Sequence, residues 1–397
     1  MMKKTAHICF LICFLLVLFA VPFLILLRGS KATTSYYENR ALAVRPELSQ
    51  SEFLSGEYFS QWDSWLSDHI AGRTSLLTLK TWLEMDVLKR PVVNGEVVSS
   101  DVLLPYYTAG RWDLSYLTEQ AAAMADDLAA LDQLISSYGG HFYYLGLPHQ
   151  SYYFADHYPD YLSSRVWHVD GMTQAFSEAL EAQGIPFLDM TQVYAQQGNP
   201  ADYYSPTDHH FTYQGALEAY RYTLTQINAD LAWDLTILED SDLQFVQLPN
   251  PYLGSQNRKL YGLWPNTEKL TIAYPVKEIP FTRFDNGVQV EAALYDLPDN
   301  ETQTVTYNVY MGGDIAETVI QTNRPDLPSL LIFGDSFTNP LETLFYTAFN
   351  ETRALDLRYY TEQTIQAYIS AYQPDLVLCI RDNTAYLTAE GNGAIGG

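Results

Sequence analysis

Leu331-Ile332-Phe333-Gly334-Asp335-Ser336-Phe337 is an apolar run that ends in Gly-Asp-Ser. Its pattern predicts a buried strand over Leu330 to Phe333, followed by a helix over 338–350. The rhythm continues in both directions. Downstream come a strand over Ala354 to Leu357, a helix over 361–372 and a strand over Asp375 to Ile380. Upstream, an Ala- and Leu-rich helix over Leu114 to Ser137 leads into the strand His141–Pro148. A helix over 168–183 is stopped by Gly184 and leads into the strand Ile185–Asp189. Strands alternating with helices predict a mostly parallel α/β sheet covered by helices on both faces. In such sheets ligands bind at the carboxyl ends of the strands, where Ser336 falls.

A second stretch gives Ser336 a partner. Thr207-Asp208-His209-His210-Phe211-Thr212 precedes a predicted helix from Tyr213 to about Asp230. Residues two apart in an extended segment share a face, so Asp208 can orient His210 while His209 points elsewhere. A hydroxyl, an imidazole and a carboxylate are what nucleophilic acyl transfer needs. Taken alone, each piece has a plainer reading. Asp335 or Ser336 can simply cap a helix, and an Asp-His-His trio can bind a metal. The same letters occur in manganese phosphoesterases, but no further Asp clusters accompany them here.

Residues 232–325 break the alternation. Short runs at Leu270–Tyr274, Val288–Ala292 and Thr304–Tyr310 predict an antiparallel insertion or lid. At the other end of the chain, the run 8–27 carries no charge and is long enough for a membrane-spanning helix. It predicts a signal anchor over 1–30 with the rest outside the cytoplasm, or alternatively a cleaved signal and a secreted protein. Residues 31–105 form a juxtamembrane helical region. Within it Asn94-Gly95 signals a hairpin turn, and Phe53 to Leu66 and Thr74 to about Leu88 have helical spacing. The α/β domain then occupies 106–397.

Composition excludes some partners. Lys and Arg number 22 against 47 Asp and Glu, for a net charge of -25, which argues against nucleic acid. Cys9 and Cys13 lie in the apolar run, so Cys379 has no intrachain disulfide partner outside it. No P-loop or dinucleotide-binding glycine loop occurs, and neither cofactor nor metal is expected. The 31 Tyr suit either sugar-facing clefts or ordinary amphipathic packing. The loop around His149, after the strand at 141–148, is a further candidate for the same cleft.

Several motifs together carry a resemblance. Asn39-Arg40 with Leu42 and Pro46, Asp68 with Gly72-Arg73, Ser205 through Ala216, Gly334-Asp335-Ser336-Phe337 and Asp356 through Tyr360 resemble the DHHW protein family. That family is related to SGNH hydrolases and to the alginate O-acetyltransferase group, and the resemblance spans roughly 36–385. Phe211 stands where the family name has Trp, which keeps an aromatic wall. The resemblance implies a flavodoxin-like sheet bearing a triad of Ser336, His210 and Asp208. It also implies an extracytoplasmic O-acyltransferase or esterase acting on acyl esters of a polysaccharide, of the cell envelope or an exopolysaccharide; a membrane-bound acyl-donor protein is a candidate partner that the sequence itself does not show. The Gly and Asn that hold the oxyanion in SGNH enzymes have candidates in Gly313, Asn323 and Asn383. A glycan-binding protein of the cell envelope, without catalysis, is the alternative.

Overall fold

The computed structural model describes residues 2–28, 31–108 and 113–388; the terminal residues 394–397, expected to be frayed, lie outside them. By compactness the chain forms two units, residues 1–96 with 258–264, and residues 97–257 with 265–397.

In the first unit, residues Met2–Arg28 form one α-helix. The expected membrane anchor nonetheless finds no support. No helix among the described residues is long and apolar enough to cross a membrane, and the side chains at 2–6, 17, 21–22, 24 and 26–28 lie outside the description. The helical spacing after Phe53 resolves into two helices, Gln50–Ser55 and Glu57–Asp68, because Gly56 between them has φ 86°. Helix Arg73–Trp82 follows and ends in a π turn, Leu83–Val87. Asn94 and Gly95 both have positive φ (49° and 85°), the geometry the Asn-Gly hairpin signal predicts. The Arg40 guanidinium reaches the buried Asp68 carboxylate at 2.8 and 2.5 Å, the Ala43 amide donates to Asp68 at 2.9 Å, and Arg73 pairs with Glu38. The Arg40 hydrogen bonds hold the Asp68 carboxyl down at about 2, against the opposing pull of burial. The motif residues Arg40, Asp68 and Arg73 thus brace this unit.

The second unit is built on a mixed sheet of eight strands. In chain order its elements are α1 (Leu114–Ser136), β1 (His141–Leu147), α2 (Val166–Gln183), β2 (Phe187–Asp189) and α3 (Tyr213–Leu231). Then come β3 (Leu243–Gln247), β4 (Thr271–Pro275), β5 (Thr282–Asp285), β6 (Val288–Val290) and β7 (Glu317–Gln321). Last are β8 (Ser329–Gly334), α4 (Thr338–Phe345), β9 (Glu351–Asp356), α5 (Ile365–Tyr372) and β10 (Leu376–Asp382).

The sheet order is β6-β5-β7-β9-β8-β10-β1-β2. From β9 to β2 all neighbours are parallel, whereas β7, β5 and β6 join antiparallel. The parallel part differs from the flavodoxin-like order of 2-1-3-4-5, because β10, the last strand in the chain, is wedged between β8 and β1. The insertion is antiparallel, as expected, but it is not a separate lid. Strands β5 to β7 extend the main sheet, and only β3 and β4 stand apart as a pair. The strand expected at Thr304–Tyr310 is instead a 3-10 turn, Tyr307–Val309. The Thr306 side chain caps it by accepting from the Asn308 amide.

Alternation along the parallel strands fills both faces. Leu330 and Ile332 enter one core layer with Leu217 of α3 and Leu344 of α4. Leu331 and Phe333 enter the other with Leu128 of α1, Phe176 of α2 and Ile369 of α5. Each such side chain contributes about 1.5–3 kcal/mol by burial. The tyrosines mostly join this packing: Tyr144, Tyr194, Tyr213, Tyr220, Tyr310 and Tyr386 are fully buried.

Candidate active site

The carboxyl ends of β8, β10 and β1 lie side by side and carry Ser336, Asn383 and His149 just beyond them. At the end of β8 the Asp335 carboxylate accepts from the Phe337 amide at 3.0 Å. This bond closes a turn just ahead of α4, whose N-cap residue Phe337 makes no side-chain cap, and the Ser336 hydroxyl turns elsewhere.

It meets His210. The distance from Ser336 Oγ to His210 Nε2 is 2.7 Å, and from His210 Nδ1 to Asp208 Oδ1 is also 2.7 Å. The residues from Thr207 to His210 form a bend, not an extended strand. Asp208 and His210 meet because the Asp208 carboxylate also accepts from the His210 amide at 3.2 Å, a local turn that brings residue i+2 back onto the side chain. Thr212 then caps α3, accepting from the Gly215 amide.

Asp208 is fully enclosed. Its Oδ2 accepts from Tyr252 Oη at 2.8 Å and from the Ser255 amide at 2.7 Å, and its Oδ1 accepts from Ser255 Oγ at 2.9 Å. Burial alone would raise its carboxyl pKa. The imidazoles of His210 and His209 and the Ser255 amide outweigh burial and hold it well below the usual carboxylate range. The His210 ring lies flat on Tyr307, with centroids 3.8 Å apart and planes 6° apart, while Phe337 packs on it at 4.9 Å. These contacts fix the imidazole plane as well as its hydrogen bonds.

His209 does not join the chain from Ser336 to Asp208. Its Nδ1 meets Ser255 Oγ at 2.7 Å, and its ring lies over His210 at 3.7 Å and parallel to His149 at 5.7 Å. His149 caps the turn after β1 through Ser151. Asp208, His209 and His210 offer ligand atoms within 4.8 Å of one another, close enough for a metal ion. The Asp208 oxygens are, however, already filled by donors from Tyr252, Ser255 and His210, and His210 is engaged at both nitrogens. The donor set fits a hydrogen-bonded relay better than a metal.

The oxyanion candidates fare differently. Asn323 follows β7, which runs antiparallel to β9, so it lies at the opposite end of the sheet from Ser336. The Gly313 amide donates to the Tyr310 carbonyl. The Asn383 carboxamide oxygen accepts from the His149 amide at 2.9 Å, tying the ends of β10 and β1 together. None of the three lines the cleft beside Ser336. That cleft has a volume of about 290 Å³, and His209, Phe337, Arg358, Arg381 and Asp382 contribute to its walls. Among the described residues no tyrosine lines it. Sequence patterns miss Tyr252, Ser255 and Tyr307, which come from an isolated β-bridge, the start of the short helix Ser255–Lys259 and the 3-10 turn Tyr307–Val309, none of them marked by a motif. A signal for Arg381 was present: charged residues directly after an apolar strand, at its carboxyl end.

Comparisons with known proteins agree with this architecture. Residues 108–255 match the family described as "SGNH hydrolase-like domain, acetyltransferase AlgX"; this stretch includes Asp208 and His210. No curated protein matches the sequence. Bacillus cereus PatB1 superposes with a TM-score of 0.62 at 22% identity, covering 73% of this chain and 96% of that one. PatB1 with a sulfonyl adduct gives 0.60 at 20%, covering 74% and 97%. A DHHW family protein from Eubacterium siraeum gives 0.55 at 17%, covering 76% and 95%. Residues 108–255 are therefore similar to the SGNH hydrolase-like domain described for the acetyltransferase AlgX, and the chain shares its fold with PatB1 and a DHHW family protein.

Proposed function

We propose that this protein is an SGNH-like O-acyltransferase or esterase that uses Ser336 as nucleophile, His210 as general base and Asp208 as its orienter. The observation that carries the reading is the unbroken hydrogen-bond chain from Ser336 to His210 to Asp208 at the carboxyl end of β8. The match to a family described by acetyl transfer supports it. Ser336 Oγ attacks an acyl carbonyl carbon and passes its proton to His210 Nε2. The C=O pair moves onto oxygen and then returns, expelling the donor oxygen, which takes the proton from His210. Water or a sugar hydroxyl then removes the acyl group from Ser336 by the same steps in reverse.

The acceptor in this reading is a hydroxyl of a cell-envelope polysaccharide, and the donor is an acetyl group delivered by a membrane-bound partner. The domain works outside the cytoplasm, a placement that rests on the uncharged run 8–27 in the sequence; protease shaving of intact cells checks it. PatB1, whose fold this chain shares, is known with a sulfonyl adduct, and that suggests the reagent for a direct test. A sulfonyl fluoride should label the wild-type protein, and Ser336→Ala should abolish the label. Absence of labelling together with no turnover of any simple acetyl ester, alongside retained glycan binding, would favour a binding protein instead.

A further inference from the structure

Strand β10 ends Ile380-Arg381-Asp382, and nothing in the proposed triad uses Arg381. Ile380 lies opposite Gly334 in the parallel register of β10 and β8. The residue after it therefore emerges beside the end of the strand that carries Ser336. The Arg381 side chain is only 6% exposed and lines the Ser336 cleft. Among the described residues, its Nε and Nη1 are buried without a hydrogen-bond partner. Asp335 Oδ2 lies 3.4 Å from Nε, near enough for an ion pair but not aligned as a hydrogen bond. Leaving buried donors unpaired costs free energy, and such groups in a folded protein ask for an explanation. Arg358 in the same cleft shows the contrast, since Asp356 and Asp314 hold its guanidinium.

Among the described residues the same cleft lacks an assigned side-chain donor for the acyl oxyanion, because Gly313 and Asn383 are bonded elsewhere, Asn323 lies at the far end of the sheet, and none of the three lines the cleft. We propose that Arg381 is a catalytic residue whose guanidinium donates to the oxyanion formed on the acyl carbonyl oxygen when Ser336 attacks. This rests on the acyl-transfer reading of Ser336. Arg381 neither gives nor takes a proton in the step, since a guanidinium stays charged. It holds the negative charge between attack and collapse, from a side chain that is itself almost fully buried. A permanently anionic ligand is less suited to the cleft. Asp335 and Asp382 line it together with Arg358 and Arg381, so the charges of these four balance. A transient charge within reach of one guanidinium avoids that cancellation.

The test is the pre-steady-state rate of Ser336 acylation by p-nitrophenyl acetate in the full chain, with thermal melting as the folding control. Arg381→Met should lower the acylation rate about 10²–10³-fold with KM little changed. Arg381→Lys, which keeps the charge and loses the planar fork, should fall between Met and wild type. Should Arg381→Met fail to fold because Asp335 loses its cation, the double variant Asp335→Asn/Arg381→Met removes both charges and decides the matter. A folded variant without the guanidinium that acylates at the wild-type rate overturns the proposal, and so does a loss confined to KM. Ser336→Ala turning over ester as fast as wild type would instead sink the acyl-transfer reading itself, whatever Arg381 does.

Discussion

Asp208 accepts hydrogen bonds from Tyr252, from both the amide and hydroxyl of Ser255, and from His210. With its oxygens so occupied, the carboxylate can hold His210 in only one orientation, Nδ1 inward and Nε2 toward Ser336. Asp208→Asn keeps the shape but removes the charge and puts an NH₂ where an acceptor is needed. The variant should still fold, and its rate of acylation by an aryl acetate should fall about 10²–10⁴-fold. An unchanged rate would mean that His210 needs no orienter. At this scale the sequence said much. Asp208, His210 and Ser336 were readable as a pair of motifs because their chemistry is rare in combination. The groups that make Asp208 a fixed acceptor were not readable, since Tyr252 and Ser255 lie more than forty residues downstream, at a single β-bridge and the start of a five-residue helix too short to show periodicity or a motif.

Strand β8 and helix α4 position the nucleophile through two tight contacts. Gly334 lies so close to β10 that a Cβ there would sit inside van der Waals distance of the Ile380 carbonyl oxygen and press on the Thr338 side chain. A backbone oxygen paired within a sheet cannot step aside. Gly334→Ala should therefore cost about 1–3 kcal/mol and displace Ser336. Urea unfolding and ester hydrolysis check the two effects separately. One turn into α4, Glu342 is buried beside the Thr338 hydroxyl, which donates to it at 2.8 Å. Burial pushes its carboxyl up to about 7, only partly offset by Thr338 and Arg283. The folded value lies above the unfolded 4.5, so the native state binds the proton more tightly. Its contribution is complete below about pH 4.5 and is lost as pH rises toward about 7. Glu342→Gln should flatten the pH dependence of Tm across that window and raise stability above it by on the order of 1–3 kcal/mol. A variant with the wild-type pH profile would contradict this.

For the whole molecule, the alternation of strands and helices was legible because each element is locally amphipathic or apolar. The pairing of strands was not. Nothing local in Leu376–Ile380 says that this last strand lies between β8 and β1, or that β5 to β7 extend the sheet antiparallel instead of forming a lid. Those are outcomes of non-local packing, and they matter for function. Wedging β10 beside β8 is what brings Arg381 to the cleft of Ser336, while the antiparallel turn of β7 carries Asn323 to the far end of the sheet. The motif residues Arg40, Asp68 and Arg73 show the converse. They are as recognisable in sequence as Asp208 and His210, yet they form a bracing ion-pair cluster in the other unit.

The central claim is that Ser336 becomes acylated through His210. Intact-mass spectrometry of the full chain, quenched shortly after mixing with p-nitrophenyl acetate, tests it most directly. The account predicts a mass gain of one acetyl group, mapped by peptide analysis to Ser336 and absent in Ser336→Ala and His210→Ala. An acetyl group found on another residue, or no adduct at any time while ester is consumed equally by wild type and Ser336→Ala, would contradict it.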